Sequence, residues 1–261
     1  MESIPESKVL EDNRLLHRQE APHYDRMHPA IWNAFEQGAV QQDVTRIRSL
    51  AGRSPLRVLD VGCGTGNLAL KFLAAGDRVD CVDLASEMLA ELQRKQQGNV
   101  HLRLFESDAD AFLKTAGRYN VICFSSVLHH LPDYNATLAR CSELLEPGGV
   151  LYVTHEPLPK FERDKSAPIQ NALTWMGWKA WRGWQKLARR KFPRLNYALT
   201  DVHLEAGIAP DDLLKGLSRA GLQSVMVRRY RAEPLTVVAW VNNKLAASRP
   251  QHFAFMAQKP S

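Results

Sequence analysis

At 261 residues, with 45% hydrophobic and 24% charged residues, the chain can bury a full core; this excludes a disordered polymer and favours one large domain, 1–261, over two small ones. The polar start Met1-Glu2-Ser3-Ile4-Pro5-Glu6 lacks a basic-then-apolar secretion signal, and no apolar run approaches the roughly 20 residues that cross a bilayer. The four cysteines, Cys63, Cys81, Cys123 and Cys141, stand far apart without metal-ligand spacing, so buried reduced thiols in a cytoplasmic protein are expected and a metal site is not.

In chain order, residues 1–55 read as a helical cap that contains Tyr24-Asp25 and ends at the turn Gly52-Arg53-Ser54-Pro55. A cofactor-binding half, 56–156, follows. Its first strand, Val58-Leu59-Asp60-Val61, runs into Gly62-Cys63-Gly64-Thr65-Gly66 and then an amphipathic helix. Alternating glycines let the backbone turn tightly, leave no Cβ in the way of a ligand, and precede the unpaired N–H groups of a helix N-terminus. A dinucleotide fingerprint would place its third glycine at position 67, where Asn67 stands. The strand Arg78–Asp83 ends in an acid able to accept both hydroxyls of a ribose, at about 1.5–3 kcal/mol for each charge-assisted hydrogen bond. The strand His101–Phe105 ends at Ser107-Asp108-Ala109-Asp110, and Tyr119–Phe124 at Ser125-Ser126-Val127-Leu128-His129-His130. After the turn Glu146-Pro147-Gly148-Gly149, the strand Val150–Thr154 leads to His155-Glu156-Pro157.

Residues 157–205 form an insertion with a composition of its own. Trp175, Trp178, Trp181 and Trp184 recur every third residue, which on a helix spreads a broad aromatic face beside a basic one. From Lys160 to Arg194 ten Lys or Arg meet only Glu162 and Asp164, an excess larger than the +6 of the whole chain. Three readings compete: a lid over an active-site mouth, an interfacial helix over 170–194 on an anionic membrane, and, ranked last, a nucleic-acid surface. No appended RNA-binding domain is legible, nor an Asn/Asp-Pro-Pro-aromatic tetrapeptide after the fourth strand. Beyond it, 206–261 should hold a helix from Pro210 to Leu222 stopped by Gly221, strands Gln223–Arg231 and His252–Lys259, and a helix around Leu235–Leu245.

This order of elements resembles the class I S-adenosylmethionine-dependent methyltransferases over roughly residues 20 to 260. The resemblance implies a Rossmann-like α/β three-layer sandwich with a seven-stranded, mostly parallel sheet whose last strand is antiparallel, carrying a helical lid insertion. It implies S-adenosylmethionine as cofactor. Asp60, Gly62, Cys63, Gly64 and Gly66 would surround its methionine part, Asp83 with Leu84 and Met88 its ribose side, Asp108 with Ala109 its adenine edge, Ser126 its methyl end, and Tyr24 would cover it. The cofactor carries no phosphate, and the loop accordingly lacks a Gly-Lys-Ser/Thr ending.

The expected chemistry is methyl transfer to a small-molecule or lipid-like acceptor at a hydroxyl oxygen. N-methylation, RNA methylation and a non-catalytic binding protein on the same fold are the alternatives. A hydroxyl acceptor needs a base, and histidine titrates near neutrality. His155 is favoured, with Glu156 or a lid carboxylate to orient it; His130 and His203 follow.

Overall fold

The computed structural model describes residues 6–159, 168–187, 203, 206–244 and 250–261. Helices α1 (Glu6–Glu20), α2 (Tyr24–Met27), α3 (Pro29–Trp32) and α4 (Ala34–Ala51) precede the sheet. Its strands are β1 (Arg57–Val61), β2 (Arg78–Asp83), β3 (Leu102–Glu106), β4 (Tyr119–Ser125), β5 (Leu145–Pro157), β6 (Gln223–Tyr230) and β7 (His252–Gln258). Between them lie α5 (Ala69–Ala74), α6 (Ser86–Lys95), α7 (Ala109–Thr115), α8 (Tyr134–Leu144), α9 (Pro168–Leu187), α10 (Pro210–Arg219) and α11 (Thr236–Lys244).

The seven strands lie in the order β3-β2-β1-β4-β5-β7-β6, with β7 antiparallel to both neighbours. This is the expected Rossmann-like sheet. Its central strands are apolar on both sides because helices cover both faces. On one face Val40, Val44 and Ile47 of α4 pack with Phe72 of α5 and Leu92 of α6; on the other Leu113, Leu138 and Leu213 come from α7, α8 and α10. The order reverses between β1 and β4, so the crevice beyond their carboxyl ends opens there.

Two boundaries differ from expectation. The sequence suggests a turn at 146–149 and a strand that stops at Thr154, whereas β5 runs from Leu145 to Pro157. Leu145 already pairs with Tyr119, and β7 continues the ladder at Glu156 and Pro157 past a bulge. Helix α10 stops at Arg219, ahead of Gly221, whose φ of +85° lets the Leu222 N–H reach back to the Leu217 carbonyl at 3.0 Å.

Of the insertion, α9 is described; 160–167, 188–202 and 204–205, with most of the basic run, lie outside the described residues. Gly177 of α9 lies against Pro234 and Val238. Thr174 donates to Glu233 at 2.7 Å and accepts from the buried Arg231 at 2.9 Å, and Asn242 of α11 donates to the same Glu233 oxygen at 2.7 Å. A buried ion pair, Arg231 with Glu233, thus anchors α9 to the exit of β6. Among the described residues no helix is long and apolar enough to cross a membrane.

Candidate active site

Two adjoining clefts open at the carboxyl ends of the strands. The first, about 720 Å³, runs from Ser107, Asp108 and Ala109 past Asp83, Leu84 and Met88 to Gly62, Gly64, Ser126 and His130. The second, about 780 Å³, continues past Asp60, Cys63 and Thr65 to His155, Ala232 and His252. Tyr24, Gly62, Gly64, Ser125 and Ser126 line both. Eleven of the twelve residues assigned to the cofactor from sequence therefore line these two adjoining clefts; Gly66 lines neither.

The glycines divide the work differently from the sequence reading. A Cβ on Gly62 would sit 2.5 Å from Val127 Cγ2, and one on Gly66 would sit 2.5 Å from Leu92 Cδ1, both at positive φ. These two serve the approach of the loop to the protein itself. Gly64 has looser surroundings, its nearest neighbour being the Tyr24 ring, 3.8 Å from where its Cβ would be.

Backbone donors hold the carboxylates in place. Asp83 accepts from the Gly64 N–H at 2.8 Å and the Ala85 N–H at 2.9 Å, which leaves lone pairs on both oxygens for a ligand. Burial raises its pKa, opposed by His17, those two N–H groups and His130. Asp60 accepts from Ala69 N–H at 3.0 Å in the first turn of α5, and burial pushes it up to about 7. Asp108 caps α7 by accepting from Ala111 N–H at 2.8 Å.

The cover over the first cleft comes from the N-terminal helices. Leu10, Asn13 and His17 of α1 and Tyr24 of α2 line it, whereas no described residue of α9 lines either cleft. Asp25 clasps this cover to the glycine loop, accepting from the Thr65 hydroxyl and pairing with Lys95 at 2.6 Å. His17 and His28 donate to the buried Glu20 at 3.1 and 2.9 Å.

The histidines expected as bases part company here. His130 lines the first cleft, its ring edge-on to His17 at 5.5 Å. His203 lines neither; its Nε2–H donates to the Leu131 carbonyl at 3.0 Å, bracing the turn after β4. His155 lines the second cleft, 8% exposed, at a φ of +60°. Glu156 does not orient His155, since Glu156 points to the opposite side of the strand. It accepts from the N–H groups of Val127 and Leu128 at 2.7 and 2.9 Å and from His129 Nδ1 at 2.8 Å. Burial would raise its carboxyl, but His129 and those N–H groups outweigh it and hold the pKa below the usual value.

Ser126, with a φ of +62°, and His155 are the two non-glycine residues at positive φ among those described, and both face the second cleft. Such strain costs on the order of 1–3 kcal/mol each and gathers at functional sites. The sequence reading had no part for Glu36, Ser125, Tyr230 or His252, which the fold brings around His155. Glu36 carried a signal: with Val40, Val44 and Ile47 it falls on the apolar stripe of α4, where an acid is costly to bury.

No Lys or Arg lines either cleft among the described residues; carboxylates and imidazoles do. That wall suits a ligand bearing an ammonium and a sulfonium and disfavours a pyrophosphate, so the residues fit S-adenosylmethionine better than a dinucleotide. All four cysteines are buried free thiols.

Comparison with known proteins agrees. Residues 32–228 match a family described as a methyltransferase domain. The ubiquinone biosynthesis O-methyltransferase of Xanthomonas axonopodis pv. citri is 31% identical over 208 residues, 78% of this chain and 76% of the relative. Its namesake in Xanthomonas oryzae pv. oryzae is 35% identical over the same shares. The solved structure of magnesium protoporphyrin IX methyltransferase from Synechocystis PCC 6803 with bound S-adenosylmethionine has a TM-score of 0.59 over 99% of both chains at 16% identity, a likeness of fold.

Proposed function

This chain belongs to the class I S-adenosylmethionine-dependent methyltransferases, and from that premise we propose that it methylates a hydroxyl oxygen of a small-molecule or lipid-like acceptor with His155 as the base. The observation that carries the reading is the strained, buried His155 in a second cleft continuous with the first through Ser125 and Ser126. The O-methyltransferase names of its relatives support a hydroxyl acceptor.

Bound S-adenosylmethionine supplies a methyl group on a positively charged sulfur. Asp83 would hold its ribose, Asp108 and Ala109 its adenine edge, and the Gly62–Gly66 loop with Ser126 its methionine end. Tyr24 would close over it as a neutral phenol, its pKa raised by desolvation and by Glu20, Asp83 and Asp25. The remaining task is alignment of the acceptor oxygen and removal of its proton, for which the second cleft offers space and His155.

The test is methyl transfer from labelled S-adenosylmethionine to phenols, sugars and quinone-like lipids, in wild type and His155→Asn. A methyl ether is the expected product. Turnover in the variant should fall about a hundredfold or more, the lower range for loss of a general base, with affinity for S-adenosylhomocysteine within about threefold by calorimetry. Full turnover in the variant removes His155 as base; products methylated only on nitrogen overturn the hydroxyl reading.

A second reading concerns the face that α9 and α11 present. Trp175, Trp184 and Trp240 are more than half exposed, at 59, 52 and 55%, together with Met176, Leu187 and Val237. Lys179 lies over the Trp175 ring at 4.0 Å, and Arg182 and Lys186 are exposed on the same helix. Aromatic rings beside cations suit the headgroup layer of an anionic bilayer, with about 1 kcal/mol from each cation near the surface. Flotation with phosphatidylglycerol vesicles at low salt should carry the protein upward, and a Trp175→Ala/Trp184→Ala/Trp240→Ala variant should stay below. No flotation of wild type at low salt eliminates this reading.

A further inference from the structure

His155 cannot follow the β5 ladder. The register with β7 shifts between Val153 and Glu156, and within that bulge the main chain turns to a φ of +60°. The turn aims the ring away from the sheet, and the fold holds it there. The His155 N–H donates to the Tyr230 hydroxyl at 3.0 Å, and the Tyr230 ring meets the imidazole edge-on at 5.8 Å. The Nδ1 atom lies 3.5 Å from Ser125 Oγ, and Ser125 lines both clefts. The Nε2 atom points the other way, 3.8 Å from Glu36 Oε2.

Glu36 enters from the first turn of α4, 2% exposed, on the stripe that packs against the sheet. Its Oε1 and the His155 Nε2 are buried polar atoms without a hydrogen-bond partner among the described residues. Leaving such groups unpaired is costly, the more so for a charged one, so the protein gains by bringing these two together. A small rotation of either side chain shortens the 3.8 Å gap to a hydrogen bond, and catalytic hydrogen bonds are often long until ligands bind.

Resting on the reading of His155 as base, we propose that Glu36 is its positioning carboxylate, holding the proton on Nε2 so that Nδ1 is the free acceptor that faces Ser125 and the cleft. As the new oxygen–methyl bond forms and the carbon–sulfur pair stays with sulfur, the hydroxyl proton of the acceptor passes to Nδ1, directly or through the Ser125 hydroxyl. The imidazolium that results carries one positive charge, which the Glu36 carboxylate offsets in a site shielded from water.

Other groups also face this ring. Asp43, two turns further along the same face of α4, interacts with His155 but is engaged by the Tyr152 hydroxyl at 2.8 Å and by Arg228. Tyr230 comes from β6, the His252 ring of β7 lies tilted against Tyr230 at 6.0 Å, and Thr154 Oγ1 lies 3.4 Å from Nδ1. Asp43→Asn is therefore the control for a carboxylate that is merely near.

The experiment is two-bond proton–nitrogen NMR on full-length protein labelled with 15N-histidine and loaded with S-adenosylhomocysteine. His155→Asn identifies the signal. Wild type should show the neutral ring as the Nε2–H tautomer. In Glu36→Gln, which removes the charge that favours a proton on Nε2, the tautomer preference should be lost. Asp43→Asn should leave the tautomer unchanged. An unaltered tautomer in Glu36→Gln overturns the proposal, as does a change confined to Asp43→Asn. If Glu36→Gln does not fold, Glu36→Asp, which keeps the charge, must retain the Nε2–H tautomer, and its loss there has the same force. The readout needs no acceptor, so failure of His155 as base, seen as full turnover in His155→Asn, is distinguishable from failure of Glu36 to position it.

Discussion

The two clefts are held together by different means. In the first, the functional carboxylates take hydrogen bonds from backbone N–H groups a few residues away or on the adjoining loop: Asp83 from Gly64 and Ala85, Asp108 from Ala111. In the second, side chains from α4, β4, β5, β6 and β7 converge, and buried atoms of Glu36 and His155 are left without partners among the described residues. The first is rigid by local bonding and suits one fixed cofactor. The second keeps unspent polarity around His155, which suits the proton transfer proposed for it.

The sharpest way to break this contrast is Asp83→Ala. Two charge-assisted hydrogen bonds to a ribose, at about 2 kcal/mol each, predict a loss of about a thousandfold in S-adenosylhomocysteine affinity by calorimetry, with the fold intact. An unchanged affinity would mean that the first cleft does not hold the nucleoside.

Gly62→Ala should be next. Its Cβ would meet Val127 at 2.5 Å in a φ of +63°, so strain and overpacking should lower stability by about 3 kcal/mol in a urea melt. Adding Val127→Ala should recover roughly half. Recovery of all of it would show that the backbone angle is cheap and the close approach is everything.

The smallest effect separates charge from shape. Asp60 has a folded pKa raised to about 7, so the folded protein keeps a proton that the unfolded chain releases near 4. Its ionisation thus costs stability that is absent below the unfolded value and grows as pH rises through about 7. Asp60→Asn retains an acceptor for Ala69 N–H while removing the charge. The ligand-free variant should gain on wild type by about 2 kcal/mol or more between pH 5 and pH 8, read from paired thermal melts. Equal gains at both pH values would show that the carboxyl is not the titrating group.

How much of this was legible follows the same division. The acid at the end of β2, the alternating glycines after β1 and the Asp108-Ala109 pair are short-range patterns, because each works through backbone bonds to near neighbours. The seven strands were legible from apolar runs, though the ends of β5 were not: its pairing with β7 past the bulge at His155 depends on a strand formed from the far end of the chain. For the same reason Glu156, adjacent to His155 in sequence, was an attractive partner for it, yet alternation along the strand sends Glu156 to the turn after β4.

The tryptophan spacing announced an amphipathic helix, and α9 is one. Which of its faces meets the protein was beyond any periodicity, since all four rings are equally apolar. Gly177 and Thr174 settled it by fitting against Pro234 and the buried Arg231–Glu233 pair, leaving Trp175 and Trp184 outward.

The amino-acid string by itself determined the fold class and the cofactor, and it named Asp60, Asp83, Asp108 and Ser126, which the fold brings to the clefts, because those depend on backbone conformation and on groups bonded close by in the chain. Only the tertiary structure decided that α1 joins Tyr24 over the first cleft, that His155 rather than His203 lines the second, and that a carboxylate from α4 stands behind that histidine. Those facts depend on side chains brought together by packing of a helix from before the sheet onto its last strands, and no local pattern encodes such a meeting.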